Sequence, residues 1–283
     1  MNTVRYVRSV FIPDDALIYV ENNKYKCDKL YLGSRIDIKD FYFKSTKIKF
    51  YMFNPFLIQY YKNQTKEISI AIVKQYGIIL EFIRKQSEEI CVEAVKQNGF
   101  ALEFVKEQTH IICLEAVKQN GNVLKYVIKQ TYDICLEAIK QNAYSIEYLN
   151  YFDIDIENKK ELYLEAVKRN GLVVKYVKIP TFEIYLEAVK QNGFALEYIF
   201  EQTNEICLEA VKQDGLAVVF VNNQTNKICL EAIKQNSGAL KYVIFKTNEM
   251  YNESQIQKKI KYDIFETVHK KYKIDMYLAK KKY

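Results

Sequence analysis

The sequence predicts an all-α protein, an α-solenoid of short helix-turn-helix repeats with a period of 22 residues, preceded by a small β-rich N-terminal cap. Three observations carry this. The chain aligns with itself when shifted by 22 positions, a period in the range of stacked repeats. Most periods hold a run of strong helix formers opened by Thr or Ser and followed by Gly, with Lys159 and Ala143 as departures. Residues 1–42 lack the period and are rich in β-branched and aromatic residues, the composition of strands.

Repeat units begin near Thr65, Ser87, Thr109, Thr131, Lys159, Thr181, Thr203 and Thr225. The spacing is 22 except between Glu137 and Glu165, where it is 28, so six residues are inserted in or near YFDIDIENKK. NPFLIQYYKNQ (Asn54 to Gln64) is half a unit ahead of the array, and TNEMYNES (Thr247 to Ser254) starts a ninth unit that degenerates. The domain layout expected is a cap over 1–42, a repeat array over 43–254, and a closing helix with a basic tail over 255–283.

The unit opening at Thr203 shows why helices are expected. The Thr203 hydroxyl can accept from a free amide in the first turn, and Glu205 suits the positive end of the helix dipole. Ile206, Leu208, Ala210 and Val211 make a broad apolar face. Gly215 is expected to close the helix in a left-handed conformation, and Gly77, Gly99, Gly121, Gly171 and Gly193 share its register. A second short helix follows, as in Phe194 to Glu201, with Leu196, Ile199 and Phe200 on its apolar side. The leucine-rich-repeat alternative fits the period but lacks the LxxLxLxxN pattern. A lone unit cannot bury enough apolar surface to offset the ordering of its backbone, so units must stack.

In the leader, VRSVFI, ALIYVE and KLYLG are expected strands, with turns at Pro13-Asp14-Asp15 and Glu21-Asn22-Asn23. At the other end Ile260, Ile264, Phe265, Val268, Tyr272 and Met276 recur at helical spacing and predict a closing helix that frays into Lys280, Lys281 and Lys282. Basic character is confined to the ends. Residues 1–64 carry 11 basic and 6 acidic side chains and residues 246–283 carry 10 and 5, whereas 65–245 carry 21 and 24. The array is therefore not a basic groove of the kind that tracks a phosphate backbone.

Candidate chemistry is sparse. Cys91, Cys113, Cys135, Cys207 and Cys229 share one register in which Ser69, Tyr163 and Tyr185 replace them. Metal sites use closely spaced pairs, and tolerance of Tyr argues for packing. Cys27 lies in the leader without a discernible partner, and free thiols fit a reducing compartment. Glu93, Glu115, Glu137, Glu165, Glu187, Glu209 and Glu231 each precede a Lys by three residues, a solvated i,i+3 pattern. Asp153, Asp155 and Glu157 alternate with Ile, but the central Gly of a calcium loop is missing. No phosphate loop, dinucleotide fingerprint or zinc-protease motif occurs. The two NxT matches follow from the repeat. The expectation is a non-enzyme with no cofactor and no metal. No run of apolar residues approaches a membrane span or a secretory signal, so a cytoplasmic setting without membrane contact is expected.

The phrase ICLEAVKQNG with the following ALEYV and QT, as in Ile112 to Gly121, Ile184 to Gly193 and Ile206 to Gly215, resembles a repeat family of unknown function abundant in giant viruses of the mimivirus type. The leader IPDDALIYVENNKYKCDKLYLG (Ile12 to Gly33) resembles the segment ahead of such repeats. The resemblance implies helical repeats and a viral origin, hence a host cytoplasm or a virion, and carries no site residues.

A protein-binding scaffold is the expected function, with an unidentified protein partner. Specificity should lie where units differ: after the cap, at His110, Tyr132 and Phe182, and after the glycine, at Phe100 and Phe194, where aromatic side chains could anchor a partner. Nucleic-acid binding through the basic ends and a structural role in a virion are the alternatives.

Overall fold

The computed structural model describes residues 6–11, 18–21, 24–27, 31–37, 55–60, 64–150 and 153–280, with the strands and 270–280 described as backbone only. The chain divides into two compact units, Met1–Lys106 and Glu107–Tyr283.

In the first unit four strands precede the repeats. β1 (Tyr6–Phe11) pairs antiparallel with β4 (Tyr31–Asp37), and β2 (Ile18–Glu21) pairs antiparallel with β3 (Lys24–Cys27), setting Ile18 opposite Cys27. The expected turn at Pro13-Asp14-Asp15 and Asn22-Asn23 of the second turn lie outside the described residues. A 3₁₀ helix (Pro55–Tyr60) follows, then α1 (Lys66–Gln75) and α2 (Glu88–Gln97), each trailed by a 3₁₀ helix, Gly77–Phe82 and Gly99–Phe104. Asn54 and residues 61–63 of the leading half-unit lie outside the described residues.

The second unit repeats this pairing. It contains α3 (His110–Gln119), α4 (Tyr132–Gln141), α5 (Ile156–Arg169), α6 (Phe182–Gln191), α7 (Asn204–Gln213) and α8 (Asn226–Gln235), each followed by a six-residue 3₁₀ helix. It ends in α9 (Asn248–Lys280), a helix of 33 residues that joins the degenerate ninth unit and the expected closing helix in one piece. Lys281 and Lys282 lie outside the described residues. Within each unit, successive α-helices pack on one another and successive 3₁₀ helices do likewise, so the repeats are all-helical, as predicted.

The α-helices start as expected except α4, where the Thr131 hydroxyl donates to Asp133 Oδ1 and caps no amide. Ile206 N donates to Thr203 Oγ1 at 3.3 Å, and Ile90, Ile112, Ile184 and Ile228 make the equivalent bond. α5 starts earlier than its register implies. The insertion lengthens it to 14 residues, and Asp155, whose carboxylate accepts from Asn158 N at 2.9 Å, takes over the cap. Asp153 accepts from Gln130 N and Asn150 Nδ2, so both aspartates serve backbone and loop.

One local expectation is refined and two are corrected. The second segment of each unit, expected as a short helix, is a 3₁₀ helix. Asn192, extended at φ −150°, ψ 112°, ends α6, and its Oδ1 accepts from Phe194 N at 3.0 Å, while Asn192 O accepts from Ala195 N at 2.9 Å. This pins an i to i+3 turn at the start of the segment, and at six residues the segment is longer than most such helices. Phe200 does not join its apolar side: Leu196 and Ile199 are buried, but Phe200 lies beyond the segment and is 88% exposed. The glycine is not needed for a left-handed conformation. A Cβ on Gly215 would stand 2.3 Å from Ala232 O of the next repeat, so glycine is required by the closeness of the neighbouring backbone.

The core repeats with the sequence. In the unit opening at Thr203, Ile206, Cys207, Ala210 and Val211 of α7 and Ala217, Val218 and Val221 after it are buried, while Leu208 is half-buried. Alanine in the middle of each helix permits close approach, and β-branched residues fill the space between layers.

Candidate functional site

Side-chain amides staple the repeats at two registers. At the first, Gln202 Nε2 donates to Leu196 O (3.4 Å) in its own repeat and to Phe220 O (2.8 Å) in the next, while Gln202 Oε1 accepts from Asn222 N (2.9 Å). Gln64 and Gln86 do the same in the first unit, and Gln130 and Gln224 in the second. Gln108 bridges to Tyr126 O and Ile128 N. These bonds satisfy backbone groups that a 3₁₀ helix leaves over at its end. At the second register the glycine amide donates to a Gln of the next helix: Gly77 to Gln97, Gly121 to Gln141, Gly171 to Gln191, Gly193 to Gln213 and Gly215 to Gln235, at 2.6–2.7 Å.

The cysteines belong to this framework. Cys91, Cys113, Cys135 and Cys207 lie with Sγ 3.5–3.8 Å from Oε1 of Gln86, Gln108, Gln130 and Gln202. With Cys229 they are buried free thiols. Burial pushes the Cys91 and Cys113 thiols up to about 11. It pushes Cys135 to about 12, with help from the charges of Asp133 and Asp153. Burial also raises the Cys207 and Cys229 thiols. Reactive thiols need the opposite environment. Among the described residues no group of three metal-ligating side chains converges. Tyr185 occupies the cysteine register where Pro180 stands in place of the stapling Gln.

The sequence-predicted residues fall on two surfaces. His110, Tyr132 and Phe182 are the first residues of α3, α4 and α6 and lie along one edge of the second unit. The register there links α3 to α4 and α4 to α5. His110 Nε2 lies 2.8 Å from Asp133 Oδ2, and Tyr132 Oη donates to Glu161 Oε2 at 3.0 Å. Lys66 and Glu89 form the same link in the first unit. Partial burial opposes ionisation of Asp133, but the Thr131 hydroxyl and the His110 charge outweigh it and hold the carboxyl below its usual range. Burial and the Glu161 carboxylate push the Tyr132 phenol up.

Two grooves open on this edge. One, about 280 Å3, is mainly apolar and is flanked by His110 and by Ile128, which is 73% exposed. The other, about 520 Å3, has Phe182 (47% exposed) and Leu164 among Glu157, Lys160, Glu161 and Glu183. The sequence reading missed Ile128, Leu164 and Glu161. The last two lie one turn apart on α5, and the insertion obscured their register.

Phe100 and Phe194 lie elsewhere, each second in a 3₁₀ helix, and both are half-buried. Phe194 meets the Phe220 ring edge-on at 5.7 Å. Phe56–Phe82 and Tyr144–Tyr176 repeat that contact. Phe194 thus packs repeat against repeat, with part of its ring still exposed. The row Phe82, Phe104, Tyr126, Tyr148, Tyr176, Tyr198, Phe220 and Tyr242 was visible in the sequence as another 22-residue register. On this face Lys175 Nζ lies 4.9–5.9 Å from the ring centres of Tyr176, Tyr144 and Tyr198.

Among the described residues no helix is long and apolar enough to cross a membrane. No curated protein and no solved structure matches the chain. A family described as Domain of unknown function (DUF4116) matches residues 65–108, 111–154, 159–203 and 181–225. The first match covers 44 residues, two of the 22-residue periods. Together the matches span more than half of the sequence, and the chain belongs to this DUF4116 family of repeats of unknown function.

Proposed function

We propose that the protein is a non-catalytic scaffold that holds another protein against the edge formed by the N-terminal ends of α3 to α6. The observation that carries this reading is the pair of grooves on that edge, each with an exposed apolar side chain (Ile128, Phe182) beside a polar rim. Interfaces take this form, with a few apolar anchors surrounded by groups that exclude water or fix register. Two other side chains of this edge are already tied up: Tyr132 by Glu161 and His110 by Asp133. On this reading Phe182 supplies contact area while Tyr132 and His110 hold the edge in shape.

The four N-terminal strands are read as the cap of the array, and the setting as the cytoplasm of a host cell or a virion, following the resemblance to giant-virus repeats. Nucleic-acid binding is a second reading, favoured only by the excess of Lys and Arg in residues 1–64 and 246–283.

Capture of partners by the tagged full chain from nuclease-treated lysate, compared with Phe182→Ala and Ile128→Ala, tests the proposal. Each substitution should reduce recovery of a discrete protein about tenfold or more, the scale of a moderate interface anchor, with helicity unchanged. Undiminished recovery from both variants eliminates this edge. Material that disappears on nuclease treatment and with rising salt supports the second reading.

A further inference from the structure

Among the described residues, the side chains of α9 that are buried against the last repeat lie at its start. Met250 and Ser254 are buried, and Ser254 Oγ donates to Ser237 O at 3.2 Å. Beyond them Ile256, Ile260, Ile264 and Val268 are 45–62% exposed. Ile260 and Ile264 border a groove of about 400 Å3 against Asn236 and Ser237. Lys246 stands in the register of the stapling glutamines and donates to Val243 O at 2.6 Å; an ammonium group cannot accept an amide as those glutamines do.

We propose that α9 is a self-association helix: two copies of the chain pair through the ridge Ile256–Ile260–Ile264–Val268, with the two helices running in the same direction. Steps of four residues build the ridge that packs into the matching groove of another helix. They also advance about 40° each around a straight helix, so the ridge spans about 120° in all.

Charge selects the occupant and its direction. Lys261 and Asp263 flank the middle of the ridge at about 80° to either side. Both are exposed, and neither has an ion-pair partner among the described residues. Side by side in the same direction, Lys261 of each copy meets Asp263 of the other, giving two symmetric pairs. In the opposite direction Lys261 would meet Lys261 and Asp263 would meet Asp263. The proposal does not depend on the edge of α3 to α6.

Sedimentation equilibrium of the full chain up to about 100 µM tests it. A dimer is expected. Ile260→Lys and Ile264→Lys, at exposed positions, should weaken association at least about tenfold with unchanged circular dichroism. Lys261→Glu and Asp263→Lys should each weaken self-association, and an equimolar mixture of the two should associate again. A monomer throughout, or a dimer indifferent to Ile260→Lys, overturns the proposal. Single charge variants that self-associate as well as the wild type overturn the parallel arrangement. A monomer that binds phosphatidylserine vesicles through α9, losing this with Ile260→Lys, overturns the proposal in favour of a lipid surface.

Discussion

The amide of Gly215 donates to the side-chain Oε1 of Gln235, 2.7 Å away in the next repeat, and a Cβ on Gly215 would stand 2.3 Å from Ala232 O. One register thus needs both the smallest residue and an acceptor opposite it. Gly215→Ala should cost about 1–3 kcal/mol, the usual scale for forcing a methyl into a filled site. Gln235→Leu should cost about 1–3 kcal/mol by stranding the amide. Urea unfolding of the two variants measures both, and an Ala at 215 without penalty would show that the close approach relaxes freely.

The same relationship explains a natural departure. Where the helix carries Arg169 in the Gln register, the preceding glycine is Ala143. Arg169 has no acceptor to offer. Its guanidinium instead donates to Lys140 O at 3.3 Å and pairs with Glu165 at 2.7 Å.

Gln130 is 4% exposed and bridges Leu124 O, Tyr148 O and Asn150 N. Gln130→Glu replaces both donors with acceptors facing two carbonyls. It should destabilise by more than the roughly 1–3 kcal/mol of an ordinary stranded group, and more than Gln130→Leu. Equal losses in chemical denaturation would mean that the amide is not the staple.

The ladder of staples is interrupted at Pro180, and Tyr185 fills the register where Cys207 lies against Gln202. Pro180→Gln alone should gain nothing, because the ring stands in the way. Combined with Tyr185→Cys it should recover bonds to the backbone around Tyr198 and Phe200. A double-mutant cycle should then show favourable coupling on the order of 1 kcal/mol. Additive single effects would contradict the substitution logic.

The buried thiols make stability fall in alkali. A thiol whose folded value lies above its unfolded value of about 8.5 binds its proton more tightly when folded, so its contribution is intact below about pH 8.5 and is lost as pH rises through the folded value. For Cys135 that value is about 12. Thermal unfolding between pH 8 and 11 should lose stability less steeply in Cys135→Ala than in the parent chain. With Cys27→Ser, no thiol should react with a disulfide reagent at pH 8 within the mixing time. Rapid release of several thiols would contradict the burial of the ladder.

Much of this was legible because the repeat displays each residue type several times. The Thr caps, the buried Ile-Cys and Ala-Val pairs and the i,i+3 Glu–Lys pairs, such as Glu209–Lys212 at 2.7 Å, follow from local propensity and periodicity. The second segment reads as a short helix in sequence, but its 3₁₀ form depends on the Asn192 carboxamide accepting from Phe194 N, which local propensity does not reveal. Gly215 was assigned to backbone freedom because the carbonyl that excludes a side chain comes from Ala232, 17 residues on. The edge was half legible: variation at His110, Tyr132 and Phe182 marked it, but Leu164 and Ile128 enter through a neighbouring helix and a loop.

Hydrogen exchange of the full chain with and without its captured partner tests the central claim most directly. The scaffold reading predicts slowed exchange at the starts of α4 and α6, around 131–134 and 181–184, and in the loop at Ile128. Slowing confined to the aromatic 3₁₀ face around Tyr176 and Tyr198, or to α9, would contradict it.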